Sequence, residues 1–192
     1  LPTRTDTEYK VPDGTEEILD SAFNSNKNLT SVTLPASMKC VGKSAFFRCT
    51  NLQSVTFADG GTEPLVISAQ SFSRTALTSI HIPARTAAIG ESAFSASALA
   101  NITFDNESKL SYIGDAAFES TQLTSVVSLP SSLRTMGNRV FANCYNLVNV
   151  TLPEGLQSVG TEFFKDSSSL EMVNLPATLQ TLGNFAFENC YS

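Results

Sequence analysis

Leu147-Val148-Asn149-Val150-Thr151-Leu152-Pro153-Glu154-Gly155-Leu156-Gln157-Ser158-Val159-Gly160-Thr161-Glu162-Phe163-Phe164 is one unit of a repeat. The same apolar spacing returns at Leu170, Val173, Leu175, Pro176, Leu179, Leu182, Gly183 and Phe187. Aligned on its phenylalanine, the unit recurs at Phe23, Phe46, Phe72, Phe94, Phe118, Phe141, Phe164 and Phe187, with gaps of 23, 26, 22, 24, 23, 23 and 23 residues. Self-similarity at that period predicts a solenoid. Each unit is too small to bury its own apolar face and stacks on its neighbours.

Within a unit, Leu29-Thr30-Ser31-Val32-Thr33-Leu34 ends in apolar-polar alternation, the mark of a strand with one buried face. Equivalent segments start at Leu52, Leu77, Leu99, Leu123, Leu147 and Leu170, and Tyr9-Lys10-Val11 reads as a truncated first copy. A proline follows at Pro12, Pro35, Pro83, Pro130, Pro153 and Pro176, where the missing N–H ends the strand. The glycine of the I-G pair (Gly42, Gly90, Gly114, Gly137, Gly160, Gly183) is expected to supply a backbone angle other residues resist, although Asp20 and Ser68 stand in its place in two copies. Residues 43–48 have room for one or two helical turns, with the phenylalanine pointing inward. A turn-rich insertion at 59–64 should bulge from one edge, and the extra residue in Val126-Val127-Ser128-Leu129 predicts a β-bulge.

The repeat runs end to end, so 1–192 reads as one elongated domain of about eight coils. An apolar content of 42% and a charged content of 16% suit a folded chain, and no apolar run approaches the span of a bilayer. With 12 basic against 18 acidic residues the net charge is −6, which repels phosphate backbones and argues against nucleic acid as a partner. The chain begins at Leu1 without an initiator Met, and its last repeat stops where the next strand's leucine is due. The expectation is a fragment of a longer protein, or an end that another segment or partner covers.

Four cysteines raise the question of a disulfide or a metal. Coils about 4.8 Å apart put Cys144 and Cys190, two coils distant, beyond disulfide reach. Cys40 and Cys49 occupy opposite roles in one coil, so buried free thiols are expected. The single histidine, His81, faces outward opposite Thr56 and Thr103, and the aligned positions supply hydroxyls where a triad or zinc site needs carboxylates or thiols. No catalytic set, metal site or cofactor is expected.

The outward strand positions are nearly free of charge: of 21, only Glu171 is ionised. Candidate ligand-binding residues on this inner face are Thr56, Ser79, His81, Asn101, Thr103, Ser125, Asn149 and Thr151. Two readings stand. The first, favoured because duplicated repeats copy their exposed residues too, is that Thr and Ser pairs stabilise a half-exposed sheet; the second is an extended neutral surface of hydrogen-bonding groups for a protein or glycan. Trp is absent and the tyrosines lie outside this surface or at its start, which weighs against a dedicated lectin.

The combination L-x-x-V-x-L-P…I-G-x-x-A-F-x-x-C-x-N-L resembles the BspA-like leucine-rich repeats over essentially the whole chain. That resemblance implies an α/β solenoid: a right-handed leucine-rich coil with a parallel β-sheet on the inner face and short helical or irregular segments outside. It also implies a cell-surface or secreted recognition module, an adhesin for a protein or glycoprotein ligand such as extracellular matrix, with a structural spacer as the alternative. No enzyme activity is expected, since no nucleophile–base–acid set can be assembled, and no direct membrane insertion, since no apolar run is long enough. Two departures are visible. The slot three residues past the last strand leucine holds Ser37 or Arg85, so an asparagine ladder is not expected there. The family's Cys position holds Cys49, Cys144 and Cys190, but Asn26, Thr75, Ser97, Thr121 and Ser167 elsewhere.

Overall fold

The computed structural model describes residues 6–126 and 128–192. Each coil contributes two short strands. In chain order these are β1 (Glu8–Lys10), β2 (Glu17–Ile18), β3 (Ser31–Leu34), β4 (Cys40–Val41), β5 (Ser54–Phe57), β6 (Leu65–Ile67), β7 (Ser79–Ile82) and β8 (Thr86–Ile89). They continue as β9 (Asn101–Phe104), β10 (Tyr112–Ile113), β11 (Ser125–Val126), β12 (Thr135–Met136), β13 (Asn149–Thr151), β14 (Ser158–Val159), β15 (Met172–Asn174) and β16 (Thr181–Leu182). The even strands form one continuous parallel sheet of eight, and the odd strands form parallel ladders β1-β3-β5, β7-β9 and β11-β13-β15. Except at one shift between β6 and β8, register matches one repeat position with itself, as in Val32↔Val55 and Ile18↔Val41, so the apolar column stays inside.

The two faces are joined by the phenylalanine turn, which adopts the irregular of the two forms expected for it. Among the described residues there is no helix. The N–H groups of Ser44, Phe46 and Arg48 donate to the carbonyl oxygens of Ala69, Ser71 and Ser73 in the next coil, at 2.9, 2.8 and 3.1 Å. Aiming alternate N–H groups along the stacking axis puts Ser44 and Arg48 at φ of 54° and 58°, and every coil repeats this pair, from Ser21 and Ser25 to Phe185 and Asn189. A left-handed non-glycine residue costs about 1–2 kcal/mol. Three inter-coil hydrogen bonds per turn offset it.

The I-G glycines do not serve the purpose expected of them. Positive φ among glycines is confined to Gly14, Gly60 and Gly155. A Cβ on Gly42 would instead lie 2.5 Å from the Ile18 carbonyl oxygen and 2.7 Å from the Asp20 nitrogen. The residue is small because adjacent coils touch there. The slot is not closed to every side chain, since Asp20 and Ser68 occupy it in two coils.

Inside, the phenylalanine rings stack in one column. Neighbouring centroids are 4.9 Å apart from Phe23 to Phe46 and 5.9 Å from Phe141 to Phe164, with planes 3° and 11° from parallel. Phe163 meets Phe141 and Phe164 edge-on. Each buried ring contributes roughly 1.5–3 kcal/mol. The column is sealed until its last member: Phe187 is 37% exposed, and Leu175, Leu182 and Phe185 of that coil are also open. The bulge expected at 126–129 includes Val127, which lies outside the described residues. A register shift is found between Leu65 and Val66, where β6 meets β8 just after the insertion.

Candidate functional site

The odd strands present the candidate residues outward. Thr56, Ser79, His81, Asn101, Thr103 and Ser125 are exposed, and Asn149 and Thr151 are half-buried. Pairing brings together Ser79 with Asn101, His81 with Thr103, and Ser125 with Asn149. Thr151 lies opposite Asn174, whose Nδ2 donates to the threonine hydroxyl at 3.2 Å. Among the described residues no ladder joins Thr56 on β5 to β7, or Thr103 on β9 to β11. The pairing therefore falls into three plates, although β5 and β7 still lie side by side.

The middle plate holds an arrangement that aligned repeat positions do not disclose. His81 Nδ1 lies 2.9 Å from Thr103 Oγ1, and His81 Nε2 lies 3.0 Å from Asp105 Oδ1. The other Asp105 oxygen accepts from the Ala84 N–H at 2.8 Å. His81 thus has a carboxylate partner as well as the expected hydroxyl. Asp105 sits just past the end of β9; its distance of 24 residues from His81, about one repeat, is the signal that could have found it. An exposed pair of this kind adds little stability. Its effect is to fix the imidazole.

Beside His81 the insertion builds a notch of about 150 Å³, walled by Phe57, Asp59, Gly60, Pro83 and Asp105. Arg85 anchors that wall. Only 6% exposed, its guanidinium donates to the Met38 carbonyl and, at 3.1 Å, to the Glu63 carbonyl, tying the insertion to the coils on either side. Burial lowers the Arg85 pKa. Elsewhere the same slot holds hydroxyls that reach back one coil: Ser37 to the Thr15 carbonyl, Ser132 to Leu110 and Thr178 to Leu156.

All four cysteines are free. Cys49 and Cys144 are buried, and burial pushes each thiol up to about 11. Cys40 and Cys190 are only half-buried, in contrast to the expectation for all four. Cys40 lies on the outer side of the eight-stranded sheet, and Cys190 lies in the open last coil. Among the described residues no group of three His, Cys, Asp or Glu side chains could hold a metal ion. No helix among them is long and apolar enough to cross a membrane.

The model of the BspA type leucine rich repeat region matches residues 5–63 and 65–192, in six copies. Among solved structures, the chain is similar to the T. pallidum leucine rich repeat protein TpLRR, with 25% identity and a TM-score of 0.66 over 97% of this chain and 78% of that one. It also resembles the pneumococcal vaccine antigen PcpA in fold, at 20% identity and a TM-score of 0.55, over 88% of this chain and 50% of that one. No curated protein matches the sequence. Two series of parallel strands, a phenylalanine column at the repeat spacing and a family match over nearly every residue agree: the chain belongs to the BspA-type leucine-rich repeat family.

Proposed function

We propose that this chain is a recognition module of a cell surface or of the extracellular space, an adhesin that binds a protein or glycoprotein through the outward face of its odd strands. One observation carries the reading: Ser79, Asn101, His81 and Thr103 form a rigid, exposed block of hydroxyl, amide and imidazole groups, with the ring already held by Asp105. Groups fixed before binding lose little conformational entropy on contact, so a modest hydrogen-bonding surface can hold a partner. The vaccine-antigen relative fits a surface location, and the family's repeat scaffold fits binding without catalysis.

The test is to measure the chain against immobilised matrix and plasma glycoproteins. Saturable binding that Ser79→Tyr with Asn101→Tyr weakens at least about tenfold supports the reading. Binding that survives those changes moves the site off this face. No saturable binding at all favours the spacer.

A further inference from the structure

The turn edge of the first three coils holds a cluster of cations that, among the described residues, form no ion pair. Ser25, Arg48 and Arg74 are the second left-handed residues of three successive turns. Their positions are bound coil to coil: Ser25 N–H donates to the Phe47 carbonyl and Arg48 N–H to the Ser73 carbonyl, at 2.7 and 3.1 Å. Arg48 and Arg74 therefore project side by side from adjacent coils. With Lys27, Ser25 and Thr50 they line an open basin of about 460 Å³. The Arg48 guanidinium lies over the Phe47 ring, 5.3 Å from its centroid, which holds it in place.

The later coils show what this edge does with cations that need only be stable. Arg139 meets Glu119 at 2.5 Å and also pairs with Glu162, while Lys165 meets Glu162 at 3.4 Å and Glu188 at 2.7 Å. Charges alternate up the stack and neutralise one another. Among the described residues, Lys27, Arg48 and Arg74 have no carboxylate within 4.0 Å. Lys43, Lys109 and Arg134 also form no ion pair among the described residues; what distinguishes Lys27, Arg48 and Arg74 is that the three line one basin.

We infer that this basin binds the sulfate groups of a sulfated glycan, at a site separate from the neutral strand face. Arginine suits the purpose, because its planar fork donates two parallel hydrogen bonds to a tetrahedral oxyanion. The coils stack 4.9 and 5.4 Å apart at Phe23, Phe46 and Phe72, close to the length of one sugar ring along a glycan. Ser25 and Thr50 add hydroxyls beside the cations for sugar hydroxyls to meet. No exposed ring in the basin offers a base a stacking platform, which disfavours single-stranded nucleic acid. The net charge of −6 does not forbid a local contact, since charges beyond the Debye length of about 8 Å are screened.

The probe is a heparin-derived dodecasaccharide, titrated calorimetrically at low and at physiological salt. Binding should weaken at least about tenfold as salt rises. Arg48→Ser with Arg74→Ser should weaken it by about another tenfold or more. Serine already occupies this left-handed slot at Ser25 and Ser120, so the backbone accepts the change; if the double variant nevertheless fails to fold, Lys27→Gln should give a smaller loss in the same direction. Lys39→Gln with Lys109→Gln, an equal change in net charge elsewhere, should leave affinity within about twofold. The inference is overturned if the parent does not bind, if both double variants behave alike, or if the desulfated chain binds as well. Equal or tighter binding of a single-stranded RNA or of vesicles of anionic phospholipid would overturn it too.

Discussion

The Cys144 thiol donates to the carbonyl oxygen of Phe118, one coil back and 3.2 Å away. Cys49 reaches Phe23 and Cys190 reaches Phe164 in the same way, and Ser167 sends its hydroxyl to the Phe141 carbonyl. Thr75, Ser97 and Thr121 use the same slot to satisfy the phenylalanine carbonyl of their own coil. In these seven coils the slot supplies a small donor that closes the backbone above or below the aromatic column, whereas Asn26 in the same slot accepts from the Asn28 and Leu29 N–H groups. A thiol is one way to supply that donor.

Replacing that donor should therefore separate two kinds of variant. Cys144→Ser keeps a donor and should cost less than about 1 kcal/mol, while Cys144→Ala removes it and should cost roughly 1–2 kcal/mol. Urea unfolding midpoints at constant m-value would show the difference. Equal losses would mean that volume alone matters.

Because burial raises the Cys49 and Cys144 thiols to about 11 from 9.0, the folded chain holds these protons more tightly than the unfolded chain does. Their contribution to stability is intact below pH 9 and is lost as pH rises toward 11. The loss should be of order 2 kcal/mol for a fully desolvated thiol. A Cys49→Ser, Cys144→Ser variant should show a flatter stability profile over that range. At neutral pH both native thiols should resist alkylation, while half-buried Cys40 reacts.

Gly42→Ala should destabilise by roughly 1–3 kcal/mol, because the new methyl would meet backbone atoms of Ile18 and Asp20. Were the glycine there for conformational freedom alone, its ordinary φ would make alanine neutral or helpful. Thermal melts of this one variant decide between the two accounts.

Much of the architecture was legible. Phe23 to Phe187 marked the period, and the Leu-x-x-Val-x-Leu runs placed the odd strands. The even sheet was not, because strands of two residues such as Ser158–Val159 are too short to show alternation. Nor were the left-handed positions. Arg48 and Phe185 have no local liking for that conformation and are held in it by the adjoining coil. Of the binding face, its neutral chemistry could be read off the strands. The His81–Asp105 contact was not read, since it joins a strand to a connecting segment, and only the spacing of 24 residues hints at it.

Phe118→Ala in the middle of the column should cost roughly 3–5 kcal/mol, whereas Phe187→Ala, at the open end, should cost far less. Amide hydrogen exchange on the Phe118→Ala chain puts the central claim to its sharpest test, because it reports where the lost stability goes. If the coils stand only by sharing their interior, protection should fall together in the coils of Phe94, Phe118 and Phe141, whose rings are 5.6 Å apart at each step. Loss confined to the altered coil, with both neighbours as protected as before, would contradict it.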